Sequence, residues 1–408
     1  MSAATGRSAA MPFILLTVLI DMVSIGLIIP VLPPLVGQFT SNPADHAFWY
    51  GVVAFAFGLS NFFASPILGR LSDRHGRRPI LLLGFMGLGF SFFATALAQS
   101  LWVLVAIRVV SGAMQANMAV AHAYVADISS PEEKARRFGL LGATFGMGYV
   151  LGPVMGGLLG DTDLRWPFWV SGSLAVLNLM YGLWVLPESL PLDKRQSVDW
   201  SRATPWASLR GLAALKGVAP LLWVVGLSNL AQFILHMTWV LYCSFKFGWG
   251  PKENGLSLLV VGVVAAVVQG GLMKPLLRHV QAPRLVQWGL MSSALAYLAW
   301  GLANEGWMMM AVVVGNLMGF TVGASVQSLI SNAAPDDEQG AAMGSVSSLT
   351  SAMAVVAPVV GSGLLGLVSH LPRQHWLIGL PFFVCCALQV LSATIAIRHF
   401  SSRAERHA

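Results

Sequence analysis

Three ionisable side chains in the first half of this sequence lie deep inside apolar stretches, where together they could control the binding and release of a proton. Asp21 stands about nine residues into the first apolar run, which is roughly 14 Å along a helix. Arg108 stands about seven residues into a later run, which also contains His122. The set combines a carboxylate, an arginine that cannot shed its proton and an imidazole that titrates near neutral pH. We therefore predict that Asp21, Arg108 and His122 take part in proton coupling.

Each of these residues also has a structural interpretation. An aspartate at the centre of a bilayer costs about 2.5–3.5 kcal/mol, so Asp21 should face a cavity or a polar partner. Arg108 could extend its side chain towards the membrane surface. His122, and His236 in a later run, could each be satisfied by an ordinary hydrogen bond.

The composition predicts an integral membrane protein. Of the 408 residues, 56% are hydrophobic and 10% are charged, and the mean hydropathy is +0.70. The net charge of +7 could indicate nucleic-acid binding, but no basic stripe with interleaved aromatic residues is present, so no nucleic-acid partner is expected. The three cysteines all lie in apolar runs, which favours neither disulfides nor a metal site.

Twelve apolar runs are long enough to cross a bilayer as helices, since about 20 residues suffice. They fall at approximately 12–38, 49–68, 80–98, 101–126, 137–160, 166–187, 218–245, 254–273, 284–303, 306–331, 340–367 and 374–397. The fifth and eleventh runs are rich enough in glycine to bend. The predicted fold class is an all-α membrane protein with twelve transmembrane helices.

The runs form two sets of six with an internal repeat. Pro153, followed by Gly156, recurs as Pro358, followed by Gly361, at an offset of 205 residues. Parallel halves of this kind bind a substrate between them, near the bilayer midplane. The predicted divisions are an N-terminal six-helix bundle at 1–187, a cytoplasmic linker at 188–217 and a C-terminal six-helix bundle at 218–408.

Positive charges predict the orientation in the membrane. All but five of the 24 lysine and arginine residues fall at the two ends or in alternate intervals between the runs. Cytoplasmic loops carry such an excess of lysine and arginine. We therefore predict that both termini are cytoplasmic.

A dense polar segment, Gly69–Pro79, separates the second and third runs. It matches the pattern G-x-L-x-D-R-x-G-R-R and so resembles the loop 2–3 signature of the major facilitator superfamily. The alternative is an ordinary basic loop of a soluble protein. We predict a tight cytoplasmic loop that forms an ionic gating cluster with Asp127, at the end of the fourth run. The predicted members are Gly69, Asp73, Arg74, Gly76, Arg77, Arg78 and Asp127.

A second motif lies in the fifth run. Small residues spaced by four let another helix approach closely, and a proline removes one backbone donor, so plain helix packing is one interpretation. The motif also resembles the antiporter signature of the same superfamily, G-x-x-x-G-P-x-x-G-G, which implies export. Its members are Gly148, Gly152, Pro153, Gly156 and Gly157.

Neutral polar and aromatic side chains inside the runs are candidates for a substrate cavity, together with Asp21. Apart from His236, the second half has no ionisable group deep in a span, so its part of the cavity should be apolar and aromatic. The predicted members are Asn61, Gln115, Asn117, Asn229, Gln232, Phe233, His236, Trp239, Gln269, Tyr297, Asn316 and Gln327.

The sequence around Asp21 resembles the first helix of the bacterial tetracycline/proton antiporters, and the resemblance covers nearly the whole chain. This chain departs from that group at positions tied to the metal–tetracycline substrate and its proton exchange. Ser91 and Ser293 stand where the group has membrane-embedded aspartates, Ala265 replaces a histidine and Asn61 replaces a glutamine. The resemblance therefore implies the major facilitator fold and export of another amphipathic drug or metabolite in exchange for protons.

Two other classes of protein remain open. One is a proton-coupled uptake symporter or facilitator for a small organic solute, and the other is a membrane protein that does not transport. The sequence has no P-loop and no H-E-x-x-H motif, so we predict no enzyme activity, no cofactor and no metal. The expected partners are a small-molecule substrate, protons and the lipid bilayer, for a monomer in the bacterial inner membrane.

Overall fold

A computed structural model describes residues 3–115, 117–130, 132–195, 219–333 and 339–407 of the chain. Every regular element in these residues is helical. Most of the predicted linker, residues 196–217, lies outside the described residues.

In the first half the helices follow the predicted runs closely. They are α1 (Ala3–Ile28), α2 (Leu32–Gly37), α3 (Pro43–His75), α4 (Arg77–Leu97), α5 (Leu101–Met114), α6 (Asn117–Ile128), α7 (Lys134–Thr162) and α8 (Trp166–Trp184), with a short 3-10 helix at Leu192–Lys194.

The second half repeats this order with more irregular turns. Its helices are α9 (Ala219–Phe247), α10 (Pro251–Ala266), α11 (Met273–His279), α12 (Ala282–Leu302), α13 (Gly306–Gly315), α14 (Val322–Ala333), α15 (Gln339–Val368) and α16 (Leu380–His407). A π-helical turn at Val267–Leu272 joins α10 to α11, and 3-10 turns at Leu317–Thr321 and Trp376–Gly379 precede α14 and α16.

These helices confirm an all-helical membrane fold. Within the described ranges, nine helical stretches are long and apolar enough to cross a membrane, and a tenth is bent by 53° at the end of α13. The two other predicted spans coincide with α8 and α12, which have 19 and 21 residues and are about 30 Å long. That these two also cross the membrane stays a prediction.

The polar segment Gly69–Pro79 is not the loop that the sequence predicted. Helix α3 continues through it to His75, and α4 begins at Arg77. Cationic side chains suit the last turn of α3, because they face the negative end of the helix dipole. The reversal is left to Gly76 alone, whose φ of 105° favours glycine.

Breaks occur where the sequence did not predict them. The fifth and eleventh spans are α7 and α15, each one continuous helix with a proline inside, and the bend that their glycines suggest stays a prediction. The fourth span is interrupted after Met114, at Gln115, and the tenth is interrupted at Asn316. Neither interruption contains a proline, so tertiary contacts must hold them.

The chain divides into two compact units. Unit 1 comprises Met1–Phe39, Ala56–Thr204 and Gly250–Leu259, and unit 2 comprises Thr40–Phe55, Pro205–Trp249 and Val260–Ala408. The start of α3 thus groups with unit 2, and the start of α10 groups with unit 1. The boundaries of the two predicted bundles stay a prediction.

Each unit has its own apolar core. In unit 1, α1 packs against α7 and α8, and α4 packs against α8, around fully buried side chains such as Ile14, Phe85 and Tyr124. In unit 2, α9 packs against α15 and α16, and α12 packs against α16, around Val224 and Leu290.

Exposed tryptophans mark one end of several helices. Trp102, Trp166, Trp307 and Trp376 each lie within the first two residues of a helical element and are 55–70% exposed. Tryptophan concentrates at membrane interfaces, so the pattern fits the predicted spans. The cytoplasmic placement of the termini stays a prediction.

Candidate functional site

Asp21 is buried in the middle of α1, with 4% of its surface exposed. The helix is tied to α8 on both sides of this residue. Asn178 Nδ2 donates to Thr17 O at 3.0 Å, one turn before Asp21. Ser171 Oγ donates to Ser24 O at 2.9 Å, about one turn after it. These bonds fix the rotation of α1 about its axis and so fix the direction in which Asp21 leaves the helix.

The predicted antiporter motif packs directly against the turn that follows Asp21. A Cβ on Gly148 would lie 2.4 Å from the Cβ of Met22, and one on Gly156 would lie 1.9 Å from Leu27 O. Gly152 meets Gly26 in the same way, at 2.6 Å from its Cα. Glycines four residues apart on α7 therefore let the backbones of α1 and α7 touch beside the buried carboxylate.

The other face of the motif meets the start of α10. A Cβ on Gly157 would lie 3.0 Å from the Cα of Gly255, and one on Gly255 would lie 2.4 Å from Pro153 O. Sequence reasoning missed Gly255. The signal was available, because a glycine near the start of an apolar helix often permits close packing, but nothing in the sequence named its partner.

Arg108 and His122 lie on either side of the interruption in the fourth span. Arg108, on α5, is 4% exposed, whereas His122, on α6, is exposed. The His122 Nδ1 is 2.8 Å from Met118 O, and its ring stacks on Phe138 at 5.8 Å between centroids. The joint role of Asp21, Arg108 and His122 stays a prediction.

The ionic cluster consists of Asp73, Arg77 and Asp127. The Arg77 guanidinium donates to both carboxylates and to Ser72 Oγ, with Nε 3.0 Å from Asp127 Oδ2. This cluster joins the end of α3, the start of α4 and the end of α6 within unit 1. Arg74 was predicted to belong to it, but Arg74 is exposed and pairs with no acid among the described residues. It points away from the cluster because it lies one residue past Asp73 on the helix.

Other predicted members of the gating loop lie outside the ionic cluster. Arg78 donates to the carbonyl oxygens of Gly182 and Leu183 at the end of α8. Gly76 forms the reversal, and Gly69 lies on α3, where a Cβ would meet no atom within 4 Å. A gating role for these residues stays a prediction.

Glu188 completes this region, and sequence reasoning missed it. Its carboxylate accepts hydrogen bonds from the backbone N–H groups of Arg77, at 2.8 Å, and Arg78, at 3.2 Å. It therefore caps the N-terminus of α4 from another part of the chain, where a negative charge suits the helix dipole. A Cβ on Gly76 would lie 2.2 Å from Glu188 Oε2, so glycine is also needed for this approach.

We expect Asp73→Asn to slow the transport cycle. The substitution weakens a charge-assisted bond to Arg77, and because Asp73 is 31% exposed we take the lower end of the usual range, about 1.5 kcal/mol. A change of that size shifts a two-state equilibrium by about tenfold. The measurement compares the transport rate in proteoliposomes with substrate affinity in detergent, and affinity should change less.

Arg74→Gln is the matched control, because it removes a charge one residue away that lies outside the cluster. Its transport rate should stay near that of the wild type. Equal slowing in both variants would show that loop charge, and not the cluster geometry, sets the rate.

In unit 2, the predicted cavity residues divide into two groups. Asn229, Gln232 and His236 follow one another along α9, where Gln232 Nε2 is 2.9 Å from His236 Nε2 and Asn229 donates to Thr350 Oγ1 at 2.8 Å. Phe233 lies edge-on to His236 at 6.4 Å. These side chains are at least partly exposed, so they remain candidates for substrate contact.

Trp239 and Tyr297 form the second group. They are 3% and 2% exposed, and both rings pack on Trp300, at 5.5 and 5.6 Å between centroids. The structure thus gives both a packing role in the core of unit 2, and substrate contact by them stays a prediction.

The remaining cavity candidates lie on irregular or exposed positions. Gln269 is exposed within the π-helical turn, Gln327 is exposed on α14, and Gln115 and Asn316 stand at the two helix interruptions. The side chain of Asn117 lies outside the described residues.

A polar network in unit 2 was not predicted. Ser228 Oγ donates to Gln389 Oε1 at 3.1 Å and lies 3.1 Å from Ser392 Oγ, which joins α9 to α16. Gln389 is 4% exposed and Ser392 is fully buried. Paired amides and hydroxyls can be buried in this way once each finds a partner.

Most of the sequence matches a known family. Residues 14–358 match the family described as the Major Facilitator Superfamily. Together with the all-helical fold, this shows that the chain belongs to the major facilitator superfamily, a superfamily of membrane transporters.

Similar proteins include two resistance proteins of Escherichia coli. The class C tetracycline resistance protein is 34% identical, over 92% of this chain and 95% of that protein. The class B tetracycline resistance protein is 31% identical, over 94% and 95%. The quinolone resistance protein NorA of Staphylococcus aureus (strain MRSA252) is 26% identical, over 85% and 88%.

Solved structures share the fold. The human organic anion transporter MFSD10 (TETRAN) aligns with a TM-score of 0.71 at 21% identity, over 97% of this chain and all of that one. The nucleoside transporter NupG aligns with a TM-score of 0.74 at 11% identity, over 96% and 99%. At these identities the likeness concerns the fold alone.

Proposed function

We propose that this protein exports an amphipathic drug or metabolite in exchange for protons, by alternating access, as a monomer in the bacterial inner membrane with both termini in the cytoplasm. The observation that carries the proposal is the burial of Asp21 beside the contact between α1 and α7. The Gly148, Gly152 and Gly156 backbones pack on the turn that follows this acid.

This arrangement links the acid to helix movement. A carboxylate at this depth is stable either protonated or beside polar partners. Because the backbones of α1 and α7 are in direct contact, even a small shift of α7 changes the surroundings of Asp21. Asp21 would then hold a proton in one state of the cycle and release it in the other, with Arg108 and His122 as the other proposed coupling groups.

The proposed direction of transport and the proposed substrate class rest on the similar proteins and on the positions where this chain differs from them. Relatives whose names record tetracycline and quinolone resistance support export of amphipathic drugs. Ser91 and Ser293 are buried neutral residues in this protein, at the positions where the tetracycline group has membrane-embedded aspartates. The partly exposed amides and imidazole on α9 suit hydrogen bonding to a neutral or cationic aromatic compound.

Inside-out membrane vesicles with an imposed pH gradient test this function. A panel of tetracycline, a quinolone and amphipathic cations is offered, and at least one compound should accumulate in proton-dependent fashion inside the vesicles. Proton-driven movement out of the vesicles would instead show an uptake symporter. Movement that ignores the pH gradient would show a facilitator.

A further inference from the structure

The fourth transmembrane segment is interrupted although its sequence contains no proline. Helix α5 ends at Met114, and Gln115 is extended, with φ of −97° and ψ of 96°. The N–H of Gln115 reaches Gly112 O, three residues back, at 3.4 Å. Carbonyl groups in the last turn of α5 therefore lose their helical partners, which is costly inside a bilayer unless other donors replace them.

Helix α3 supplies those donors. Asn61 Nδ2 donates to Gly112 O, at 3.4 Å, and to Gln115 O. Ser60 Oγ also donates to Val109 O at 2.7 Å, which ties the two helices together one turn before the break, at a carbonyl that the break does not free. Many hydroxyl groups in this chain bond instead to the carbonyl four residues back in their own helix, as Thr17 does with Phe13. Two neighbouring residues of α3 thus bond to the backbone of α5 at 109, 112 and 115.

The close approach of the two helices depends on Gly112. A Cβ at this position would lie 2.4 Å from Phe57 O and 3.1 Å from Ser60 Cβ. Backbone therefore meets backbone at this point, and the short side chain of Asn61 is long enough to reach the carbonyl groups of α5.

We propose that Asn61 is a positioning residue that holds the fourth segment in its interrupted form, with Ser60 assisting. Without the Asn61 donor, the carbonyl of Gly112 would take the N–H four residues further on, and the segment would close into a continuous helix. The interruption lies between Arg108 and His122, so Asn61 sets how these two groups are placed relative to each other. This differs from the substrate contact that the sequence predicted for Asn61.

The second half also has an interruption in its fourth segment. Asn316 stands 201 residues after Gln115 and interrupts the tenth segment, with φ of −88° and ψ of 38°. Ser292 Oγ, on α12, donates to Asn316 Oδ1 at 2.8 Å. Both halves thus interrupt their fourth segment at an amide-bearing residue. In the first half a neighbouring helix donates to the backbone at the break, whereas in the second half it donates to the amide side chain.

Hydrogen–deuterium exchange of the purified full-length protein in nanodiscs tests the structural part. Asn61→Leu keeps the size of the side chain but removes the donor. In this variant the amides of residues 113–118 should exchange at least about fivefold more slowly than in the wild type, because a continuous helix would protect them. Asn61→Gln, which keeps the donor, and Ser65→Ala, elsewhere on α3, should match the wild type. Unchanged or faster exchange in Asn61→Leu would overturn the proposal.

Transport kinetics test the positioning role, which rests on the proposed export function. With any compound found to be exported from the panel above, Asn61→Leu should lower the maximal rate about tenfold and change KM by less than about twofold. Asn61→Gln should restore most of the rate. A raised KM with an unchanged maximal rate would show that Asn61 contacts substrate and would overturn the proposal. If no compound is exported, the proposed function fails, whereas the exchange measurement still decides the structural part.

Discussion

Asp21→Asn is expected to abolish proton-driven accumulation while leaving substrate exchange down its gradient intact. Asparagine keeps the shape and the polarity of the site but cannot bind and release a proton at physiological pH. A pH difference of about one unit can sustain about a tenfold accumulation for each proton exchanged, since a factor of ten corresponds to about 1.4 kcal/mol. In the variant this ratio should fall to one. Proteoliposomes with an imposed pH gradient give the accumulation, and the same vesicles without a gradient give the exchange rate.

Asp161→Asn serves as the matched control. Asp161 lies near the end of α7 and is exposed, so removing its charge should leave accumulation near the wild-type level. Near-normal accumulation in Asp21→Asn would reject this carboxylate as the proton carrier and would move the role to His122. Loss of exchange together with accumulation would instead show that the acid shapes the cavity.

Gly156→Ala is expected to separate α1 from α7 and to impair both folding and transport. The new Cβ would lie 1.9 Å from Leu27 O and 2.7 Å from Leu27 C. Both are backbone atoms, so no change of rotamer relieves the clash and the helices must move apart. Overpacking of this kind costs about 1–3 kcal/mol or more. Thermal unfolding in detergent and transport in proteoliposomes measure the two effects.

Gly142→Ala provides a control on the same helix. A Cβ on Gly142 would meet no atom within 4 Å, so the substitution should keep transport. It should also stabilise α7 slightly, since alanine exceeds glycine in helix propensity by about 1 kcal/mol. If both variants lost the same stability, the helix itself, and not its contact with α1, would require glycine.

Much of the membrane architecture is already determined by the sequence. Apolar runs of membrane length coincide with helices along the whole described chain, because no solvent in a bilayer can satisfy an unpaired backbone. The burial of Asp21 and Arg108 also follows from their depth in these runs. The glycines of the antiporter motif indicate close packing, because only a missing Cβ allows backbones to touch.

Which groups meet was decided by tertiary structure alone. The sequence showed that Gly156 would face a close neighbour but did not identify Leu27 as that neighbour, since the two are distant along the chain. It placed Arg74 in the ionic cluster, where the rotation of α3 turns this side chain outward. It also gave no sign of Glu188 as the cap of α4, because capping from another segment depends on where the chain returns.

The interruption at Gln115 shows most clearly why the sequence alone does not determine such contacts. Local propensity does not dictate a break there, because Ala113, Met114 and Gln115 are good helix formers and the segment contains no proline. Asn61, on another helix, donates to the carbonyl groups of Gly112 and Gln115 that the break exposes. The length of an apolar run and the hydrogen bonds within a helix can be predicted from the order of residues. Whether a helix is continuous or interrupted depends on partners that only the folded chain brings together.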